Sequence, residues 1–234
     1  MLLCYITDRT GFPGPDAEQR ARLLDRIAAA AACGVDMIQL REKDVSARDL
    51  VSLAREALET IRAASSSTRT RLLINSRTDV ALAVGAHGVH LRSDDISASE
   101  ARVVFCKAGQ NRPLIGVSCH SVSEVRLAES HGAEFALFGP IFGKVAADKR
   151  EAKSAVKGVG VAPLRAACGK IPAPGLEAPV PAGRMPVLAV GGITLANAKR
   201  CLEAGAAGIA AIRLFQQNDI STVVEKLRAF GSSN

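Results

Sequence analysis

Eight short apolar runs, each four to six residues long, recur through the chain at 2–6, 36–41, 71–75, 88–91, 114–118, 135–138, 186–190 and 208–212. The longer stretches between them, such as 17–32, 47–63, 121–130 and 195–204, are rich in Ala, Glu and Arg and carry helical spacing. Near-continuous apolar strands alternating with helices require a parallel sheet whose outer face the helices cover. Eight such units close on themselves, so the expected fold is α/β, a single (β/α)8 TIM barrel. The 234 residues of the chain suit one domain over 1–234, because this barrel takes about 200–250 residues.

A local repeat supports the parallel order. Gly34-Val35-Asp36, Gly85-Ala86-His87-Gly88, Gly132-Ala133-Glu134 and Gly205-Ala206-Ala207-Gly208 each stand where a helix ends and a strand begins. A helix ends most easily on a glycine in the left-handed conformation. Aromatic residues make up only 3% of a chain that is 48% hydrophobic, so Ala, Val, Leu and Ile must fill the interior, as they do in barrels. Residues 170–184 break the pattern with four prolines in fifteen positions. That segment reads as a surface loop before the seventh strand, at the N-terminal face and away from any site.

Six cysteines, at positions 4, 33, 106, 119, 168 and 201, form no C-x-x-C pair, which points to reduced, mostly buried thiols and a cytoplasmic protein. The run Met1–Ile6 meets Thr7-Asp8-Arg9 at once and reads as a first strand rather than a signal segment. No apolar run is long enough to span a membrane. The net charge of +7 favours anionic partners. With one Tyr and no Trp, the chain lacks the stacking residues of a nucleic-acid binder. Small phosphorylated metabolites fit better.

In a parallel barrel the working residues sit at the C-terminal ends of the strands. Those ends here carry Thr7-Asp8, Gln39 to Asp44, Asn75-Ser76-Arg77, His90 to Asp95, Ser118 to Ser121, Gly139 to Phe142, Gly191-Gly192-Ile193 and Arg213. Gly191-Gly192 precedes a helix starting near Thr194, so backbone N–H groups can converge there on a phosphate. Arg41 and Lys43 directly follow an apolar strand, and such a pair suits a diphosphate. His90 alternates with Val89 and Leu91, which favours an interior, hydrogen-bonded role. Cys119 and His120 are sequence neighbours that point apart, so no nucleophile pair is expected.

Taken in order, Tyr5-Ile6-Thr7-Asp8, Gln39-Leu40-Arg41-Glu42-Lys43-Asp44, Leu73-Ile74-Asn75-x-Arg77-x-Asp79-Val80-Ala81-Leu82-Ala83, Gly88-Val89-His90-Leu91, Gly116-Val117-Ser118-x-His120-Ser121, Gly139-Pro140-Ile141-Phe142 and Gly191-Gly192-Ile193 resemble the thiamine-phosphate synthase and TenI-type family. The resemblance implies an enzyme joining hydroxymethylpyrimidine diphosphate to thiazole phosphate with release of pyrophosphate, in thiamine biosynthesis, with Mg²⁺. It implies that Gln39, Arg41, Lys43 and Asn75 contact the pyrimidine diphosphate and that Ser118 touches its diphosphate. Asp95 would bind Mg²⁺, and Gly192, with the backbone near Ile212, would hold the thiazole phosphate. Arg41, Lys43 and Ser118 are the candidate catalytic groups, with Arg213 beside the phosphate.

The chain departs from the family pattern at several of these points. Ser76 stands where the family has a Mg²⁺-binding Asp, so a weakened metal site is expected. Arg92-Ser93 replace a Gly-Gln, Arg213 replaces a Ser, and residues 143–149, with Lys144 and Lys149, do not show which lysine is the catalytic-loop one. Two alternatives follow. One is a TenI-like thiazole tautomerase, although Pro140 stands where that relative has a His. The other is a phosphate-ligand-binding barrel without synthase activity. The expected partners are small phosphorylated substrates, with no nucleic acid and no membrane, and assembly as a homodimer stays open.

Overall fold

The computed structural model describes residues 1–64, 70–143, 157–169 and 184–232. Eight strands appear in chain order as β1 (Leu2–Ile6), β2 (Met37–Leu40), β3 (Arg71–Asn75), β4 (Gly88–Leu91), β5 (Leu114–Cys119), β6 (Phe135–Phe138), β7 (Val187–Val190) and β8 (Gly208–Ala211). Each pairs in parallel with the next, and β8 returns to β1, closing the barrel. The helices between them are α1 (Asp16–Ala32), α2 (Ala47–Ala64), α3 (Thr78–Val84), α4 (Ala98–Lys107), α5 (Val122–Ser130), α6 (Val161–Ala167) and α7 (Leu195–Glu203). A short α8 (Arg213–Gln216) precedes the last helix, α9 (Ile220–Ser232). No helix is long and apolar enough to cross a membrane among the described residues.

Two-residue alternation divides the strands into two cores. Cys4, Ile6, Met37, Leu73, Phe135, Leu137, Leu188 and Ala210 fill the barrel interior. Leu3, Tyr5, Ile38, Leu72, Ile74 and Ile209 point outward and pack under the helices. Phe135 is the bulky residue of the interior, and Gly116, its register partner on β5, makes room for the ring. A Cβ at Gly116 would lie 2.1 Å from Phe135 Cζ. The amphipathic α2 buries Leu50, Leu53, Ala54, Ala57, Leu58 and Ile61, each Leu or Ile contributing roughly 1.5–3 kcal/mol relative to exposure.

The expected helix-ending glycines are left-handed, with φ of 76° at Gly34, 66° at Gly85, 76° at Gly132 and 103° at Gly205. Two strand boundaries differ from the sequence reading for a visible reason. Strand β8 stops at Ala211, because Ile212 (φ −94°, ψ −76°) turns the chain into α8, so Arg213 opens a helix instead of ending a strand. Strand β2 begins at Met37, since Asp36 is used as a cap: its Oδ2 accepts from Leu3 N–H at 2.7 Å and from Arg228 Nη2 at 2.8 Å. Among the described residues no cysteine is joined in a disulfide; Cys4, Cys119 and Cys201 are buried, Cys33 and Cys168 half-buried and Cys106 exposed. Residues 170–183 of the Pro-rich segment lie outside the described residues, as do 144–156.

Candidate active site at the barrel mouth

The strand ends of β2, β3 and β4 carry a buried polar layer above the apolar interior. Gln39 Nε2 donates to Asn75 Oδ1 at 2.8 Å and lies 2.8 Å from His90 Nδ1. An amide N–H₂ can only donate, so Nδ1 accepts and the imidazole proton sits on Nε2. Burial drives the His90 pKa down to about 3, overriding the field of Asp95, so the ring stays neutral. It stacks on Phe135 with centroids 6.0 Å apart. This is the interior role that the strand alternation implied. Gln39 Oε1 and His90 Nε2 are buried and have no hydrogen-bond partner among the described residues.

The next layer sorts the charges of the Arg41-Glu42-Lys43-Asp44 segment. Buried Arg9, in the 3₁₀ turn after β1, donates from Nη2 to Asp44 Oδ2 at 3.0 Å and from its backbone N–H to Glu42 Oε2 at 3.0 Å. Thr7 Oγ1 donates to Glu42 Oε1 at 2.6 Å and accepts from Arg41 N–H at 2.9 Å. Burial raises the Glu42 pKa, against the opposing bonds from Thr7 and Arg9, while the hydrogen bond from Arg9 lowers that of Asp44. Both carboxylates are thus pulled back toward β1, which leaves Arg41 and Lys43 without their neighbours' charge. Arg41 is the main cause of a lowered Lys43 pKa, followed by burial and Arg92. Lys43 therefore senses both Arg41 and Arg92, with Asp8 opposing them, at the ends of β2 and β4.

Asp95 and Ser76 were the metal positions implied by the resemblance. Asp95 Oδ2 accepts from Arg92 N–H at 2.7 Å, and Oδ1 lies 3.4 Å from Arg92 Nη2. Ser76 Oγ accepts from Asn75 Nδ2 at 3.2 Å, and its φ of 60° is left-handed. Divalent magnesium wants several oxygen ligands, usually with carboxylate charge among them. One carboxylate already engaged by a guanidinium, beside a neutral hydroxyl, does not fit such an ion. Among the described residues no group of three or more His, Cys, Asp or Glu side chains is placed to hold a metal.

Across the mouth, the loops after β6 and β7 brace each other. Ile141 N–H donates to Val190 O at 2.8 Å and Phe142 N–H to Gly191 O at 3.0 Å. Glycine is required at 192, because φ is 63° and a Cβ would meet Phe142 O at 2.6 Å. Asn197 Oδ1 accepts the Thr194 N–H at 2.8 Å, and Asn197 Nδ2 donates to Gly192 O at 3.0 Å. The N–H groups of Gly192 and Ile193 have no acceptor among the described residues. Ser118 and Ile212 are half-buried at the ends of β5 and β8, and Arg213 is exposed. Cys119 is buried with its thiol pKa raised to about 12 by desolvation, and His120 Nδ1 lies 2.6 Å from Gly139 O. Neither forms a nucleophile pair.

Gln39, Asn75 and His90 thus touch directly, and Arg41, Lys43 and Arg92 form one electrostatic group. Ser118, Gly192, Ile212 and Arg213 stand at the ends of other strands, with no hydrogen bond or ion pair to them among the described residues. The role of Arg9 was missed; its only signal was a charge set immediately after an apolar strand. A separate cavity of about 520 Å³ lies outside the barrel between α2 and α3, lined by Arg48, Arg55, Arg77 and Asp79 among others. We place the site at the mouth instead, because convergent polar groups and unpaired donors mark a ligand site better than volume does.

The sequence profile of the family described as thiamine monophosphate synthase (TMP-TENI) matches residues 4–215. The chain belongs to the thiamine monophosphate synthase family. It is 37% identical to a thiamine-phosphate synthase of Chlorobium luteolum over 211 residues, covering 90% of this chain and 83% of that one. A thiamine-phosphate synthase of a Roseiflexus species is likewise 37% identical, covering 90% of this chain and 76% of its own. A solved structure titled thiamine phosphate pyrophosphorylase from Pyrococcus furiosus superposes with a TM-score of 0.74 at 26% identity, covering 99% of this chain and 96% of the other. A 3-hexulose-6-phosphate synthase structure, at 16% identity and a TM-score of 0.61, shares the barrel fold alone, covering 98% of this chain and 97% of its own.

Proposed function

We propose that this member of the thiamine monophosphate synthase family makes thiamine phosphate from hydroxymethylpyrimidine diphosphate and thiazole phosphate. In that reaction the bond between the pyrimidine methylene carbon and the diphosphate oxygen breaks, and the electron pair leaves with pyrophosphate. The thiazole nitrogen then gives its lone pair to the same carbon, forming the C–N bond. No enzyme nucleophile is needed; the protein has to stabilise the departing negative charge. The observation that carries the reading is the pairing of Arg9 with Asp44 and Glu42, which frees Arg41 and Lys43 to face an anion.

The remaining residues take roles consistent with their positions. Gln39 Oε1 is a buried acceptor without a partner among the described residues, at a typical cost of about 1–3 kcal/mol. A heterocycle bearing an N–H donor meets that need, with Asn75 fixing the amide. Ser118 reaches the diphosphate, and the free N–H groups of Gly192 and Ile193, with the backbone near Ile212 and the Arg213 side chain, hold the thiazole phosphate. Magnesium supplies charge neutralisation in the family; the Asp95–Ser76 pair here does not fit that ion. We also read the chain as one domain acting on small phosphorylated substrates. Cysteines that form no disulfide among the described residues support a cytoplasmic setting. The test is incubation of the purified protein with both substrates and Mg²⁺, with detection of thiamine phosphate. Binding of thiazole phosphate without any binding of the pyrimidine diphosphate rejects the proposal in favour of a tautomerase-like or binding-only barrel.

A further inference from the structure

Arg92 is the first residue after β4, at the C-terminal strand end where the mouth of the barrel lies. The side chain is 55% exposed, while that of its partner Asp95 is only 14% exposed. The carboxylate is held from both sides, by the Arg92 N–H at 2.7 Å and by the guanidinium at 3.4 Å. On the adjacent strand end Ser76 brings no charge, and its N–H is spent on His90 O at 2.8 Å. A site with two carboxylates and a divalent ion sums to zero charge (−2 + 2). One carboxylate with one guanidinium sums to zero as well (−1 + 1), with Asp94, 3.2 Å from Arg92 Nη2, left out of both sums. The substitutions at 76 and 92 therefore keep the balance while changing the cation from a metal ion to a side chain.

We propose that the Arg92 guanidinium, seated on Asp95, is a fixed cation of the diphosphate site and that this site binds its anion without a divalent metal. The proposal rests on the diphosphate reading of Arg41 and Lys43 and adds a third residue to it. The guanidinium has five N–H donors in a fixed fork, and pairing with Asp95 and Asp94 uses only part of them, leaving N–H groups directed at solvent to meet phosphate oxygens. The lowered pKa of Lys43, to which Arg92 contributes after Arg41 and burial, agrees with a crowding of cations that an anion would relieve. Unlike a bound metal, this cation is present before the ligand arrives.

Calorimetry of the full chain with inorganic pyrophosphate, once in EDTA and once in excess Mg²⁺, tests the idea. Wild type should bind in EDTA, and Mg²⁺ should change the affinity by less than about threefold. Arg92→Gln should weaken binding in EDTA by about tenfold or more, as expected for one charge-assisted contact, and Arg92→Lys should recover part of that loss. Arg102→Gln, which removes an equal charge on α4 where Arg102 pairs with Glu134, should leave binding unchanged. Thermal melts check that the variants fold. Binding seen only with Mg²⁺, or an Arg92→Gln affinity equal to wild type, overturns the proposal. A protein that binds pyrophosphate in EDTA yet makes no thiamine phosphate rejects the synthase reading and leaves the metal-free site standing.

Discussion

Arg9 and Arg41 carry the same guanidinium and follow neighbouring strands, yet their surroundings give them opposite work. Arg9 is buried and saturated by Asp44, Asp16 and Glu42, so it shapes the loop. The half-buried Arg41 donates its backbone N–H to Thr7 Oγ1, and in the proposed reading its side chain is left for a ligand. Replacing Arg41 with Ala should weaken pyrimidine diphosphate binding about tenfold to a hundredfold, from the roughly 1.5–3 kcal/mol of a charge-assisted contact. Thiazole phosphate should bind nearly unchanged, and separate titrations of the two ligands measure both. At Ser76 the backbone φ of 60° suits Asp better than Ser, because Asp tolerates the left-handed region. Ser76→Asp should therefore fold normally and bind Mg²⁺ more tightly than wild type in the presence of diphosphate. Equal affinities would place any metal elsewhere. Arg41 could be picked out in the sequence because it directly follows an apolar strand. Arg9 could not, since its role depends on carboxylates 33 and 35 positions away.

At the scale of elements, the turn Gly85-Ala86-His87-Gly88 holds two glycines for two different reasons. Gly85 closes α3 with φ 66° and has open space around it, whereas a Cβ on Gly88 would lie 1.9 Å from Leu114 O on β5. The first needs backbone freedom and the second needs to be small. Gly85→Ala should cost roughly 1–2 kcal/mol, the strain of a left-handed residue, and Gly85→Asn should recover part of it. Gly88→Ala should cost about 1–3 kcal/mol or more as strands β4 and β5 are forced apart, and Gly88→Asn should be worse still. Denaturant midpoints of the four variants distinguish the cases; similar losses for the two Asn variants would defeat the argument. The sequence repeat revealed that a strand follows each such glycine, and hence the parallel order of the barrel. It could not separate the two roles, because close approach across β4 and β5 exists only once the sheet has formed. The short α8 was hidden for a similar reason: Arg213–Gln216 is a single turn, too brief to show any period.

For the molecule as a whole, the buried layer of Gln39, Asn75 and His90 ties folding to proton concentration. The folded His90 has a pKa of about 3, against about 6.5 in an unfolded chain. Below pH 6.5 the unfolded state takes up a proton that the folded state refuses, so stability falls as pH drops toward 3. The slope from this one group is about 1.4 kcal/mol per pH unit. Above pH 6.5 both states are neutral at His90 and its contribution is flat. Burial also lowers the pKa of His87, which adds a change of the same sign. Glu42 works the other way: its raised pKa means that the folded state holds the proton longer, so its contribution falls as pH rises through that range. The carboxylates held by arginine, Asp44 and Asp79, lose stability only at lower pH. A comparison of wild type with His90→Gln isolates the histidine. The variant should show a constant offset above pH 6.5 and a shallower decline between pH 6.5 and 4, read from urea midpoints at each pH. Parallel curves down to pH 4 would mean that His90 is solvated and can charge in place, and the neutral imidazole that anchors Gln39 beneath the proposed diphosphate site would have to be abandoned.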